Sequence, residues 1–286
     1  MHKILCLLCV VYLLRVSANK TTFEKNGITF ETDEDGDYNL LTHEILVLQP
    51  GSIADIQDVY RLYLMEQKIT GIEPGTFQNL PSLKKLIIIM NKVQKITTGI
   101  FNALTNLTLL NLSSNLISHI DSSAFDNLTS LESLTLSNNR LTSVDSQWFE
   151  LTPSLNWISI RDNQLTELPA HVFGNIKSPK PFTLVLDDNK IAKIDKDAFR
   201  GLTSISMLSL DSNKLKTATG DFLEGLDIDV LLLRDNGIKC IDQEYFGAVF
   251  VANKTDISEN PWTPQCLTAI QTWAEQFNKT VEHEFA

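Results

Sequence analysis

The sequence predicts an α/β solenoid: a superhelix with a concave parallel β-sheet, loops and short helical turns on the convex side, and a helical C-terminal cap. Three observations carry this reading. A polar slot recurs at near-constant spacing: Gln67, Asn91, Asn115, Asn139, Asn163, Asn189, Asn213 and Asn236 lie 24, 24, 24, 24, 26, 24 and 23 residues apart. An apolar alternation precedes each slot, as in "LESLTLSNNRL" (Leu131–Leu141) and "LTLLNLSSNLI" from Leu107. A phenylalanine follows ten residues after most slots, at Phe77, Phe101, Phe125, Phe149, Phe173, Phe199 and Phe246, with Phe222 nine residues after its own.

At the N-terminus, "MHKILCLLCVVYLLRVSA" has a basic start, an apolar run from Ile4 to Leu14 and small residues ending at Ala18. That is the pattern of a secretory signal peptide over residues 1–18. The eleven-residue run is too short to span a bilayer. No other segment is long and apolar enough, and "NKTVEHEFA" lacks the hydrophobic tail of a lipid-anchor signal. The mature chain is expected to be secreted, with no membrane span and no lipid anchor.

Residues 19–57 are expected to form an N-terminal cap without cysteines. There "NGITFETDEDGDYNLLTHEILVL" reads as strand, polar turn and strand. Asp33, Asp35, Asp37, Asn39 and Glu44 match five positions of a calcium-binding loop, but Tyr38 stands where such a loop needs glycine for its sharp turn. A solvated acidic turn is the expectation, with no metal site and no cofactor.

Residues 58–239 hold about eight repeats. Each unit is too short to bury its own leucines and must stack on its neighbours. Alternating residues such as Leu134 and Leu136 point inward from a strand. After each strand the chain turns away from the sheet, and its buried backbone groups need new partners. The pattern LxxLxLxxNxL with a downstream Phe resembles the leucine-rich repeat of the 24-residue type. The resemblance implies that each slot asparagine bonds the turn backbone of its own and the adjacent unit, so that Asn115, Asn139 and Asn163 stack as a ladder. The slots and the Phe column are then structural, and none is a binding residue. Gln67 departs from the pattern, as terminal repeats do. The 26-residue spacing comes from "KSPKP" (Lys177–Pro181), whose prolines bulge the connection outward.

Residues 240–286 follow as a cap. "ISENPWTPQCLTAIQTWAEQF" resembles the C-terminal flanking region of extracellular leucine-rich repeat proteins, with Asn260 lying 24 residues beyond Asn236. Thr263 and Pro264 suit N-cap and first-turn positions. Leu267, Ile270, Trp273 and Phe277 share one helical face that can cover the open core. Once Cys6 and Cys9 leave with the signal, Cys240 and Cys266 remain as a pair, which in an oxidising compartment bridges. The family's cap usually carries four cysteines, and its cysteine-rich N-terminal cap is absent here.

Composition narrows the function. Without residues 1–18 the chain has 22 basic against 35 acidic residues, a net charge of −13. It has no basic stripe and is expected to repel nucleic acid. No nucleophile motif, phosphate loop or zinc signature appears, so no enzyme is expected. Six sequons, at Asn19, Asn106, Asn111, Asn127, Asn253 and Asn278, are glycosylation candidates in a secreted chain.

Strand residues flanking the inward leucines point onto the concave face. Tyr63, Met65, Ile87, Ile89 and Leu109 form an expected exposed apolar cluster at its N-terminal end. Trp157 and Arg161 are residue types that anchor interfaces, and Asp187, Asp211 and Arg234 continue the face. Such a patch marks a contact surface; the alternative is β-propensity filler shielded by the N-terminal cap. The resemblance implies recognition of a protein or glycan in innate immunity, ligand or receptor binding, or adhesion. The rival expectation is a matrix or adhesion protein acting by self-association, as a homodimer for instance.

Overall fold

A computed structural model describes residues 21–25, 28–33, 35–41, 46–178 and 180–283 of the 286-residue chain. The predicted signal peptide, Asn19 and Glu44 lie outside these residues. Thirteen strands form one sheet in chain order. Three come from the N-terminal segment: β1 (Thr21–Lys25), β2 (Ile28–Thr32) and β3 (Asp37–Leu40). Eight come from the repeats: β4 (Arg61–Tyr63), β5 (Lys85–Ile87), β6 (Leu109–Asn111), β7 (Ser133–Thr135), β8 (Trp157–Ser159), β9 (Phe182–Val185), β10 (Ser204–Ser209) and β11 (Asp227–Leu232). β12 (Lys254–Asp256) and β13 (Thr280–Glu282) close the sheet. β1–β3 pair antiparallel, and every pairing from β3 onward is parallel.

The acidic segment between β2 and β3 is a hairpin turn. Asp33 Oδ1 accepts the backbone N–H groups of Asp35 and Asp37 at 3.0 and 3.1 Å, and Gly36 takes a φ of +72°. Asp33 and Asp37 are thereby occupied within the fold, Asp37 through an ion pair with Arg61.

Inward leucines and isoleucines fill the core, including Leu62, Leu86, Leu110, Leu134, Ile158, Leu184, Leu208 and Leu231. Away from the sheet the phenylalanines form a buried column. Phe77, Phe101 and Phe125 stack with centroids 6.2 and 6.4 Å apart, Trp148 wedges edge-on between Phe125 and Phe149, and the column continues through Phe173 and Phe199 to Phe222. The convex side carries short helical turns such as Ser146–Phe149 and Asp221–Leu223. It also carries two-residue parallel pairings, such as Lys95–Ile96 with His119–Ile120, which the periodicity does not signal.

The asparagine ladder is continuous. Asn139 Nδ2 donates to Leu112 and Leu136 carbonyls at 3.0 Å each and to Ser137 at 3.2 Å, while its Oδ1 accepts Ile117 N–H at 2.9 Å. The same set recurs through Asn163, Asn189, Asn213, Asn236 and Asn260. Gln67 shows what the first slot loses: its Nε2 reaches Met65 O, but its buried Oε1 has no hydrogen-bond partner. The residue before each slot is left-handed, from Glu66 (φ 56°) and Met90 (56°) through Asp162, Asp188 and Ser212 (52° each) to Glu259 (59°). None of these is glycine, so each repeat carries backbone strain that the ladder holds in place.

The 26-residue repeat is absorbed in the connection before β9, since Trp157 pairs with Thr183, 26 residues on, in unbroken register. A separate irregularity lies where β9 meets β10. Phe182 pairs with Ile205 but Thr183 pairs with Met207, so the register shifts by one residue. At the C-terminus Cys240 and Cys266 are joined by a disulfide, with Cα atoms 5.5 Å apart. The cap helix, Pro264–Gln276, starts as its sequence predicts, with Thr263 accepting Cys266 N–H and Pro264 in the first turn. Leu267 and Ile270 are buried and Trp273 packs against the core. Phe277 departs from the expected face: it is 54% exposed, beyond the helix end, and stacks on Trp273 at 4.9 Å. The chain then turns back to add β13 beside β12.

Candidate ligand-binding face

Parallel register aligns the outward residues in rows across the sheet. One row runs Arg61, Lys85, Leu109, Ser133, Trp157, Thr183, Met207, Val230 and Lys254. The next runs Tyr63, Ile87, Asn111, Thr135, Ser159, Val185, Ser209, Leu232 and Asp256 through the same pairings. Two residues further along each chain lie Met65, Ile89, Ser113, Ser137, Arg161, Asp187, Asp211 and Arg234.

The expected apolar cluster is only partly exposed. Tyr63 is 4% and Ile87 3% accessible, so both are buried although they point away from the leucine core. Adjacent strands stand about 4.8 Å apart, and neighbours in register close over both side chains: Asn39 and Ile87 flank Tyr63, while Tyr63 and Asn111 flank Ile87. The N-terminal strand β3 thus shields one end of the cluster. Met65, Ile89 and Leu109 keep partial exposure, as do Trp157, Arg161, Asp187, Asp211 and Arg234.

The C-terminal half is acidic. Asp187 Oδ1 accepts Ser209 Oγ and, at 3.2 Å, Asp211 N–H. Asp211 Oδ1 accepts Arg234 N–H at 2.7 Å. The guanidinium of Arg161 bonds Asp188 at 2.7 Å, and that of Arg234 pairs with Glu259 and with Asp256 at 3.7 Å. Burial raises the Asp187 carboxyl, opposed by its Ser209 bond and by Arg161. Burial and then the neighbouring Asp187 charge push Asp211 up to about 7, opposed by the Arg234 N–H and charge. Asp188, Asp256 and Glu259 were not singled out from sequence; Asp256 lies four residues before Asn260, and counting that slot as a ninth repeat finds it.

Of the sequons, Asn106, Asn127, Asn253 and Asn278 are exposed. Asn111 sits mid-face, half-buried, its Oδ1 accepting Ser113 N–H and Oγ at 3.0 and 2.7 Å. Among the described residues no three His, Cys, Asp or Glu side chains gather as metal ligands, and no helix is long and apolar enough to cross a membrane.

Two family models match: the BspA-type leucine-rich repeat region, in six copies over residues 63–180, and the leucine-rich repeat over residues 183–238. A comparison with curated proteins finds no match. Among solved structures, the mouse RP105/MD-1 complex aligns at 22% identity and TM-score 0.73, covering 86% of this chain and 42% of that one. The TLR13–ssRNA13 complex aligns at 22% identity and TM-score 0.69, covering 78% and 32%. The leucine-rich repeat domain of APL1B aligns at 27% identity and TM-score 0.58, covering 74% and 62%. The chain thus spans about a third to three fifths of the length of these structures. The eight-slot spacing, the continuous ladder and the two family matches agree: the chain belongs to the leucine-rich repeat family.

Proposed function

We propose that this protein is a secreted, non-enzymatic recognition module that binds a protein or glycan ligand through the concave face of its sheet. The observation that carries the reading is the row geometry. The ladder asparagines and the Phe column are consumed by the fold, while Met65, Ile89, Leu109 and Trp157 stay partly exposed on one continuous face. Side chains that neither pack the core nor satisfy the backbone are available for a partner. The disulfide supports an oxidising destination. The RP105 structure is a complex with MD-1 and the TLR13 structure a complex with ssRNA13. The shared fold supports ligand recognition, of the kind used in innate immunity. The excess of acidic over basic residues speaks for a partner other than a nucleic acid.

Affinity capture with the protein secreted from cells tests this, followed by binding of the captured partner to Trp157→Ser and to Met65→Ser/Ile89→Ser. Loss of binding with an unchanged thermal midpoint supports the reading. Full binding by both variants overturns it. The rival reading, self-association, predicts a solution mass that rises with protein concentration.

A further inference from the structure

We propose that the concave sheet from β8 to β11 takes a basic, apolar peptide segment, its apolar side chains against Trp157, Met207, Val230 and Leu232 and a lysine or arginine against Asp187 and Asp211. This deepens the recognition reading and rests on it. In register, Trp157 aligns through Thr183 with Met207 and Val230, and Leu232 lies in the adjacent row beside Val185 and Ser209. The four apolar residues are partly exposed and are spread over strands about 4.8 Å apart. They offer a patch roughly 14 Å across, the reach of about four extended residues.

Two observations set the charge of the occupant. Asp187, Asp188, Asp211, Asp256 and Glu259 gather along one margin of this patch against the guanidiniums of Arg161 and Arg234. Both guanidiniums bond carboxylates outside the Asp187–Asp211 pair: Arg161 bonds Asp188, and Arg234 pairs with Glu259 and Asp256. Two guanidiniums thus stand against five carboxylates, and the excess negative charge sits in a half-buried place: burial raises the Asp187 carboxyl, and burial together with the Asp187 charge raises that of Asp211. The fold does not require this. Ser113 and Ser137 occupy the equivalent positions of two earlier repeats. A ligand cation placed there relieves the repulsion on binding, whereas a second copy of this acidic chain adds to it.

The test uses the full mature chain and two labelled synthetic peptides, one alternating leucine and lysine, the other alternating leucine and glutamate. Binding is read by fluorescence anisotropy at 150 mM salt for wild type, Trp157→Ser, Asp187→Asn/Asp211→Asn and a convex-side control, Asp221→Asn/Glu224→Gln, each checked by thermal midpoint. The lysine peptide is expected to bind wild type and the convex control equally. It should bind at least tenfold more weakly to each concave variant. Wild-type affinity should fall between pH 7.5 and 5.5, as Asp211 takes up a proton, and that fall should be absent from the double Asp variant. Equal weakening in the convex control, equal binding of the glutamate peptide, or unchanged affinity in the concave variants overturns the proposal. A captured natural partner that depends on Met65 and Ile89 but not on Trp157, Asp187 or Asp211 also overturns it, while leaving the recognition reading intact.

Discussion

The side-chain amide of Asn139 donates to the carbonyl of Leu112, 27 residues earlier, at 3.0 Å. The same group also serves its own turn, at Leu136 and Ser137, and its oxygen accepts Ile117 N–H. One side chain thus satisfies four buried backbone groups in two repeats. Asn139→Ala strands them together, at a cost of about 2–3 kcal/mol. Chemical denaturation should show this loss, with a lowered midpoint; an unchanged midpoint is incompatible with the ladder.

Left-handed residues before the slots give the opposite sign. Met90 has a φ of 56° and is 50% exposed, so little packing depends on its side chain. Glycine adopts this conformation without the Cβ clash, a relief of about 1–2 kcal/mol, partly offset by its greater freedom when unfolded. Met90→Gly is expected to stabilise the protein by about 0.5–1 kcal/mol. A midpoint below wild type would count against strain at this turn.

The Cys240–Cys266 bridge closes a 26-residue separation between the last repeat and the cap helix. Chain entropy alone assigns it about 3 kcal/mol. Cys240→Ser/Cys266→Ser should lower the thermal midpoint, and hydrogen exchange should rise first in the cap helix and in β12. Thiol titration of the denatured, unreduced mature protein should find no free cysteine.

Asp211 makes stability depend on pH. Its folded carboxyl titrates at about 7, against an ordinary value of 3.8. Between these limits the folded state holds a proton that the unfolded state has released, so this group's contribution to stability falls as pH rises. Its destabilisation is complete above pH 7 and absent below about pH 4. Asp211→Asn removes the charge. It should stabilise the protein at pH 8 by about 1 kcal/mol, a figure reduced for solvent screening of a half-buried group, and the gain should vanish toward pH 4. A pH-independent difference between the two proteins would exclude this origin.

The repeats were legible because a 24-residue period places Leu134, Asn139 and Phe149 in fixed structural roles, whatever fills the other positions. Outside that period the β2–turn–β3 segment and the cap helix were legible from their own local patterns, but other elements were not. β1 and β13 carry no slot, and the convex pairings are two residues long, too short to show alternation. The left-handed row was hidden because its residue type varies, from Glu66 and Met90 to Ser114, Asn138 and Asp162. On the concave face, direction was legible but depth was not. Whether an outward side chain meets water depends on its neighbours in adjacent strands, and these follow only from register. The same holds for Asp187 and Asp211, whose mutual repulsion requires β9 and β10 to be in place.

Ile87 and Ile89 separate direction from depth most cleanly. Both leave the sheet on the concave side, one strand residue apart from Ile88 of the core. Ile87 is 3% accessible between Tyr63 and Asn111, whereas Ile89 is half-buried beyond the paired residues of β5. Replacing Ile87 with serine removes a buried apolar side chain and brings a hydroxyl into its place, so it should cost about 2–3 kcal/mol. Ile89→Ser should cost less than about 1 kcal/mol, because water already reaches that side chain. Urea denaturation of the two single variants checks the difference. Equal, small losses would mean that Ile87 is open to solvent, and the apolar cluster at the N-terminal end of the face would then extend unbroken from Tyr63 to Leu109.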